Sequence, residues 1–175
     1  MNAPTANMMV LVGERFACVK VAGRANFATA VDFKTLLTGL EGKGYPYIVI
    51  ELSQCPLMDS TFLGVLAASG VRLRPMDGEC EKQVIELRNA NERLIELLEN
   101  LGVLHLFKTC NGELPDCEKI ESSPCHATRE ELTQASLEAH QTLMDINPAN
   151  VTRFKDVTKF LTEDLAKIKQ AGAKN

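Results

Sequence analysis

No apolar run in this 175-residue chain approaches the length needed to cross a bilayer. Residues 1–9 lack a basic segment followed by an apolar stretch, so nothing there reads as an export signal. The expected location is therefore the cytoplasm. Cys-x-x-Cys pairs are absent among the six cysteines, Cys18, Cys55, Cys80, Cys110, Cys117 and Cys125. Without an export signal they read as reduced thiols. Cys110, Cys117, Cys125 and His126 are spaced too widely for an ordinary zinc site, so no metal is expected. There is no arginine-rich stripe, and the net charge is −4, which disfavours nucleic acid as a direct partner. A phosphate-binding Walker loop is missing, and no other cofactor is expected. The Gly-x-Ser-x-Gly elbow of hydrolases is missing too, because Met58 and Phe62 stand at the glycine positions around Ser60.

What is present is ordinary for a globular protein: 45% hydrophobic and 24% charged residues, enough for one domain with an appendage. Residues 8–12 and 15–21 are apolar segments flanking Gly13-Glu14, a pairing that suits a two-residue type II′ hairpin. The segment Gly23-Arg24-Ala25-Asn26 reads as a loop, with Asn26 capping a helix from Phe27 to about Glu41. Phe27, Ala30, Val31, Leu37, Leu40 and the stem of Lys34 make its expected inner face. Tyr47–Leu52, rich in β-branched residues, predicts a buried strand. Asp59-Ser60 follows at the start of an apolar helix reaching about Arg72, where side-chain oxygens accept from free backbone N–H groups. Pro75–Glu79 reads as a loop, Gln83–Leu87 as a strand, and 91–101 as a helix stopped by Gly102. Leu104–Phe107 reads as a last edge strand.

The order implies a mixed, mostly parallel α/β sandwich with an N-terminal hairpin and helices mainly on one face. The boundaries are a domain over 1–109, an irregular linker over 110–127, and a two-helix extension over 128–172. Thr128 caps the first extension helix, with Glu130 and Glu131 in its first turn. Its apolar stripe is Leu132, Ala135, Ala139, Leu143 and Ile146. Asn147-Pro148 breaks it, and Val151, Phe154, Val157, Leu161, Leu165 and Ile168 form the stripe of the second helix. Both stripes are expected to pack on the chain's own domain; a detachable cover or a homodimer contact is the sharper alternative.

The string Asp59-Ser60-Thr61-Phe62-Leu63-Gly64 after an apolar strand resembles the signature turn of the STAS domain, the family of bacterial anti-sigma-factor antagonists. Gly23–Ala30 resembles that family's segment after its second strand, and Leu97–Phe107 its closing helix and strand. The resemblance implies that Ser60 is phosphorylated by a partner kinase that is itself an anti-sigma factor, with Thr61 a secondary candidate. It implies that the unmodified form binds this partner, that the phosphorylated form releases it, and that a serine phosphatase resets the cycle. Asp59, Ser60, Thr61, Phe62, Asn26 and Phe27 would form the partner-binding surface. Asn26 and Arg24 stand where the family often carries acidic residues, so this surface is less acidic. Residues 56–64 hold no Lys or Arg, so a new phosphate would face outward. Two alternatives stay open: a non-phosphorylated STAS-like scaffold or ligand-binding module, and a small serine hydrolase. None of His105, His126 and His140 is tied to Ser60 by sequence, which counts against the hydrolase and against enzymatic activity generally.

Overall fold

The computed structural model describes residues 5–74, 83–122 and 126–173. The expected loop at Pro75–Glu79, together with Cys80 and Cys125, lies outside these residues. Six strands, β1 (Asn7–Val12), β2 (Phe16–Ala22), β3 (Tyr47–Glu51), β4 (Val84–Arg88), β5 (Lys108–Cys110) and β6 (Glu118–Ile120), form one mixed sheet in the order β5-β4-β3-β2-β1-β6. The pairs β2–β3, β3–β4 and β4–β5 are parallel, and β1 runs antiparallel to both β2 and β6. The helices are α1 (Phe27–Glu41), α2 (Ser60–Leu73), α3 (Glu92–Asn100), α4 (Arg129–Ile146) and α5 (Val151–Gly172).

The main core lies between the helices and one face of the sheet. Ala17, Val19, Val21, Ile48, Ile50, Ile85 and Leu87 point into it from the strands, against Phe33, Leu37, Phe62, Leu63, Leu66, Leu94, Leu98 and Leu143. The opposite face carries a small second cluster of Phe16, Cys18 and Val49, covered by Leu114 and Cys117.

Four local expectations change. The β1–β2 turn is shifted by one residue: Val12 pairs with Ala17 and Gly13 N donates to Phe16 O, so Glu14-Arg15 sit at the tip in place of Gly13-Glu14. The Phe16 ring lies over Gly13, where a Cβ would sit 2.2 Å from it. The inner face of α1 is Thr29, Ala30, Phe33, Leu37 and Leu40, with Phe27 55% exposed, because Phe33 stacks on Phe62 at 4.1 Å. Residues 104–106 form a 3-10 turn, and the edge strand comes after it, as β5. The stretch expected to be irregular, 110–127, contains β6, which pairs with β1.

Thr128 and Glu131 close a reciprocal capping box on α4. The extension helices pack on their own chain, α4 against both α2 and α5. Asn150, fully buried, donates through Nδ2 to the carbonyls of Leu101 and Leu143 and fastens the α4–α5 corner to the end of α3. Gly102, at φ +72°, lies there against Asn147.

Candidate functional site

The chain after β3 is stitched to the chain after β2. Ala25 N donates to Leu57 O at 3.0 Å, and Asp59 N donates to Ala25 O at 2.9 Å. These bonds bring Asn26 and Phe27 beside Asp59 and Ser60. Asp59 is extended (φ −91°, ψ 170°) and is the N-cap of α2. Its Oδ1 accepts from Phe62 N at 2.9 Å, and its Oδ2 accepts from Phe27 N at 2.8 Å. One carboxylate therefore satisfies open N–H groups at the starts of two helices. Asn26 caps α1 through Ala28 N at 3.1 Å.

Ser60 is the first residue of α2 and is half-buried. Its Oγ lies 2.8 Å from His140 Nε2, across 80 positions of sequence. His140 Nδ1 lies 2.7 Å from the carbonyl of Ser136. A carbonyl only accepts, so Nδ1 carries a proton; in the neutral ring Nε2 then presents a lone pair, to which the Ser60 hydroxyl donates. The imidazole is 5% exposed and meets the Phe154 ring edge-on at 4.9 Å. Next to it, Thr61 Oγ1 and Ser136 Oγ are 2.9 Å apart, both buried. Below them Gly64 lets α2 and α4 touch: a Cβ there would sit 2.4 Å from the Ala139 carbonyl oxygen.

The expected surface residues thus divide. Asp59, Ser60, Asn26 and Phe27 come together at one end of α2 and α1, with Phe27 exposed. Thr61, at 4% exposure, and Phe62, at 0%, are interior residues in this arrangement and present no docking surface. His140 is the residue that sequence reasoning missed, and it supplies the Ser60 partner that the sequence alone did not reveal. The available signal was the polar pair Ser136 and His140, one helical turn apart beside the apolar stripe of α4.

The hydroxyl–imidazole–carbonyl chain gives the Ser60 proton an acceptor. Two clefts flank α4 among the described residues, and neither is lined by Ser60 or His140. One, of about 320 Å3, is lined by residues including Lys34, Gly64, Arg72, Glu138 and Asp145; another, of about 460 Å3, by residues including Val31, Thr128 and Gln134. The N-terminal end of α2 favours negative charge. Among the described residues no three His, Cys, Asp or Glu side chains gather as a metal site, and no helix is long and apolar enough to cross a membrane.

The family model of the STAS domain matches residues 7–113, more than half of the chain. This chain belongs to the STAS domain family. The STAS portion spans β1 to the loop after β5; α4 and α5 lie beyond it. The crystal structure of an anti-sigma factor antagonist from Mycobacterium paratuberculosis superposes with a TM-score of 0.51 at 19% identity, over 60% of this chain and 85% of that one. The likeness is one of fold. The anti-sigma factor antagonist SpoIIAA, in its unphosphorylated form, aligns with a TM-score of 0.47 at 12% identity, over 62% of this chain and 90% of that one. No curated protein matches the chain.

Proposed function

We propose that this STAS protein is a cytoplasmic anti-sigma-factor antagonist that works by partner switching. Unmodified, it binds an anti-sigma factor that is also a serine kinase; phosphorylated on Ser60, it lets go; a serine phosphatase resets it. It acts as a binding module, with no cofactor and no direct contact to nucleic acid. The observation that carries this reading is the position of Ser60: first residue of α2, half-buried, next to Asn26 and the exposed ring of Phe27.

The physics follows from that position. A phosphoserine adds about 1.5 to 2 negative charges and three acceptor oxygens. The free N–H groups of the first α2 turn can hold it, so the fold survives. Asp59 next door repels it and already has both oxygens bonded. A partner that buries this corner would desolvate an unpaired dianion, at a cost of several kcal/mol; about 1.4 kcal/mol is already tenfold in affinity.

Incubation with ATP and the kinase partner, followed by intact-mass analysis, tests the assignment. One phosphate on the wild type and none on Ser60→Ala is expected. Equal modification of both removes Ser60 as the site; modification of neither leaves a non-phosphorylated scaffold. The Ser60–His140 pair favours one further reading, ester hydrolysis. Turnover of a p-nitrophenyl ester that disappears in both Ser60→Ala and His140→Ala would establish it.

A further inference from the structure

We infer that the α4–α5 hairpin is a lid over the Ser60 corner, and that closure of the lid and phosphorylation of Ser60 exclude one another. This inference rests on the reading of Ser60 as a phosphoacceptor. In the closed form the half-buried Ser60 hydroxyl donates to the Nε2 of buried His140 at 2.8 Å. Phosphoryl transfer from ATP forms an Oγ–P bond and breaks the bond from the γ-phosphorus to ADP. The hydroxyl proton leaves to a base of the kinase. Three phosphate oxygens then need room where the imidazole stands. The kinase must also reach an oxygen that α4 covers.

The lid is fastened unevenly. At the α4–α5 corner it is held by Asn150 on the Leu101 carbonyl and by fully buried Leu143. Over Ser60 it is held by two polar pairs, Ser60–His140 and Thr61–Ser136, and by the small side chains Ala135 and Ala139. The Lys34–Glu138 ion pair ties it to α1 at 2.7 Å, with both side chains nearly half exposed. Such exposed pairs hold weakly. Lifting this end strands no buried charge, and every polar group released can bond to water. α4 and α5 also lie outside the STAS match, so the family portion does not contain the lid. A lid that is mostly closed lowers apparent affinity for any partner of the Ser60 corner by the fraction of time it is open.

The full-length chain tests this in three forms. Gly64→Ala places a methyl against the Ala139 carbonyl and pushes α4 off α2. The double variant Thr61→Cys/Ser136→Cys replaces two oxygens 2.9 Å apart by thiols, so oxidation staples the lid shut, as verified by peptide mapping. The oxidised and reduced forms of that one protein are compared with each other. Hydrogen exchange read by mass spectrometry should show α4 opening separately from, and faster than, β2 and β3. It should open about tenfold or more faster still in Gly64→Ala, and slower in the oxidised double variant. Phosphorylation of Ser60 by the kinase partner should follow the same order, with oxidation slowing it by at least about tenfold.

Exchange of α4 only together with the sheet, in wild type and Gly64→Ala alike, overturns the lid. Equal phosphorylation of oxidised and reduced double variant also overturns it, while leaving Ser60 as phosphoacceptor. Local opening of α4 with no phosphate on Ser60 in any form removes the phosphoacceptor reading and leaves the moving helix.

Discussion

Asp59 is the residue on which the geometry of the corner turns. Its two oxygens cap α2 and reach the first N–H of α1, so it fixes Ser60 relative to Phe27. Asp59→Ala should lower unfolding free energy by about 1–2 kcal/mol, seen as a lower urea midpoint at unchanged slope. Asp59→Asn, which keeps one oxygen acceptor, should lose less. That role was legible in the sequence, because capping is local: an acidic residue before an apolar helix answers to its own next turn. His140 was not legible in the same way. Its partner is 80 positions distant, and a histidine among apolar residues of a helix reads the same whether it meets a serine or a wall. The thiols give a second prediction at this scale. Burial, with Glu51 nearby, pushes the Cys18 thiol up to about 12, and burial also raises Cys55. Cys110 and Cys117 are only half-buried. Among the four described cysteines, iodoacetamide labelling of the native chain, read site by site, should reach Cys110 and Cys117 before Cys55, and Cys18 only on unfolding.

Among the elements, α4 shows why a helix face can be wider than its apolar stripe. Leu132, Ala135, Ala139, Leu143 and Ile146 mark one side, yet Thr133, Ser136 and His140 are buried too, because α4 is sandwiched between α2 and α5. A stripe on a sequence shows that a helix packs; it does not show that two partners share it. The phase of α1 went astray for a related reason. Phe27 and Phe33 cannot lie on one face, and the stacking of Phe33 on Phe62 decided between them. The displaced β5 and the unexpected β6 are three-residue strands, too short to leave a period-2 pattern. At the α4–α5 corner the buried Asn150 replaces what a longer loop would do. Asn150→Ala removes donors from the Leu101 and Leu143 carbonyls and should cost about 1–3 kcal/mol in chemical denaturation. Asn150→Asp should cost more, since a carboxylate there adds negative charge against two carbonyl oxygens.

For the whole molecule, stability should follow two carboxylates that join separate parts of the chain. Glu51, buried at the end of β3, accepts from Ser53 and from Asn89, the residue after β4, and Asn89 also bonds both ways with Gly112. Burial alone would raise the Glu51 pKa; the hydrogen bonds from Asn89 and Ser53 outweigh it and hold the group below the usual glutamate value. Glu138 follows the same logic, with burial opposed by Lys34 and Gln134, and the net shift is again downward. A carboxyl whose folded pKa lies below its unfolded one binds protons more readily in the unfolded chain. Its contribution is therefore complete above the ordinary glutamate range and disappears as the pH falls through the folded value. Urea midpoints measured from pH 7 down to about pH 3 should decline through the glutamate range. Glu51→Gln should start lower at neutral pH and decline less steeply, so that the two curves converge in acid. Glu138→Gln should show the same convergence with a smaller separation, because its ion pair with Lys34 is nearly half exposed and solvent weakens it. Curves that stay parallel down to the acid end would mean that Glu51 titrates alike in folded and unfolded chains, and that the ends of β3 and β4 are not joined through its charge.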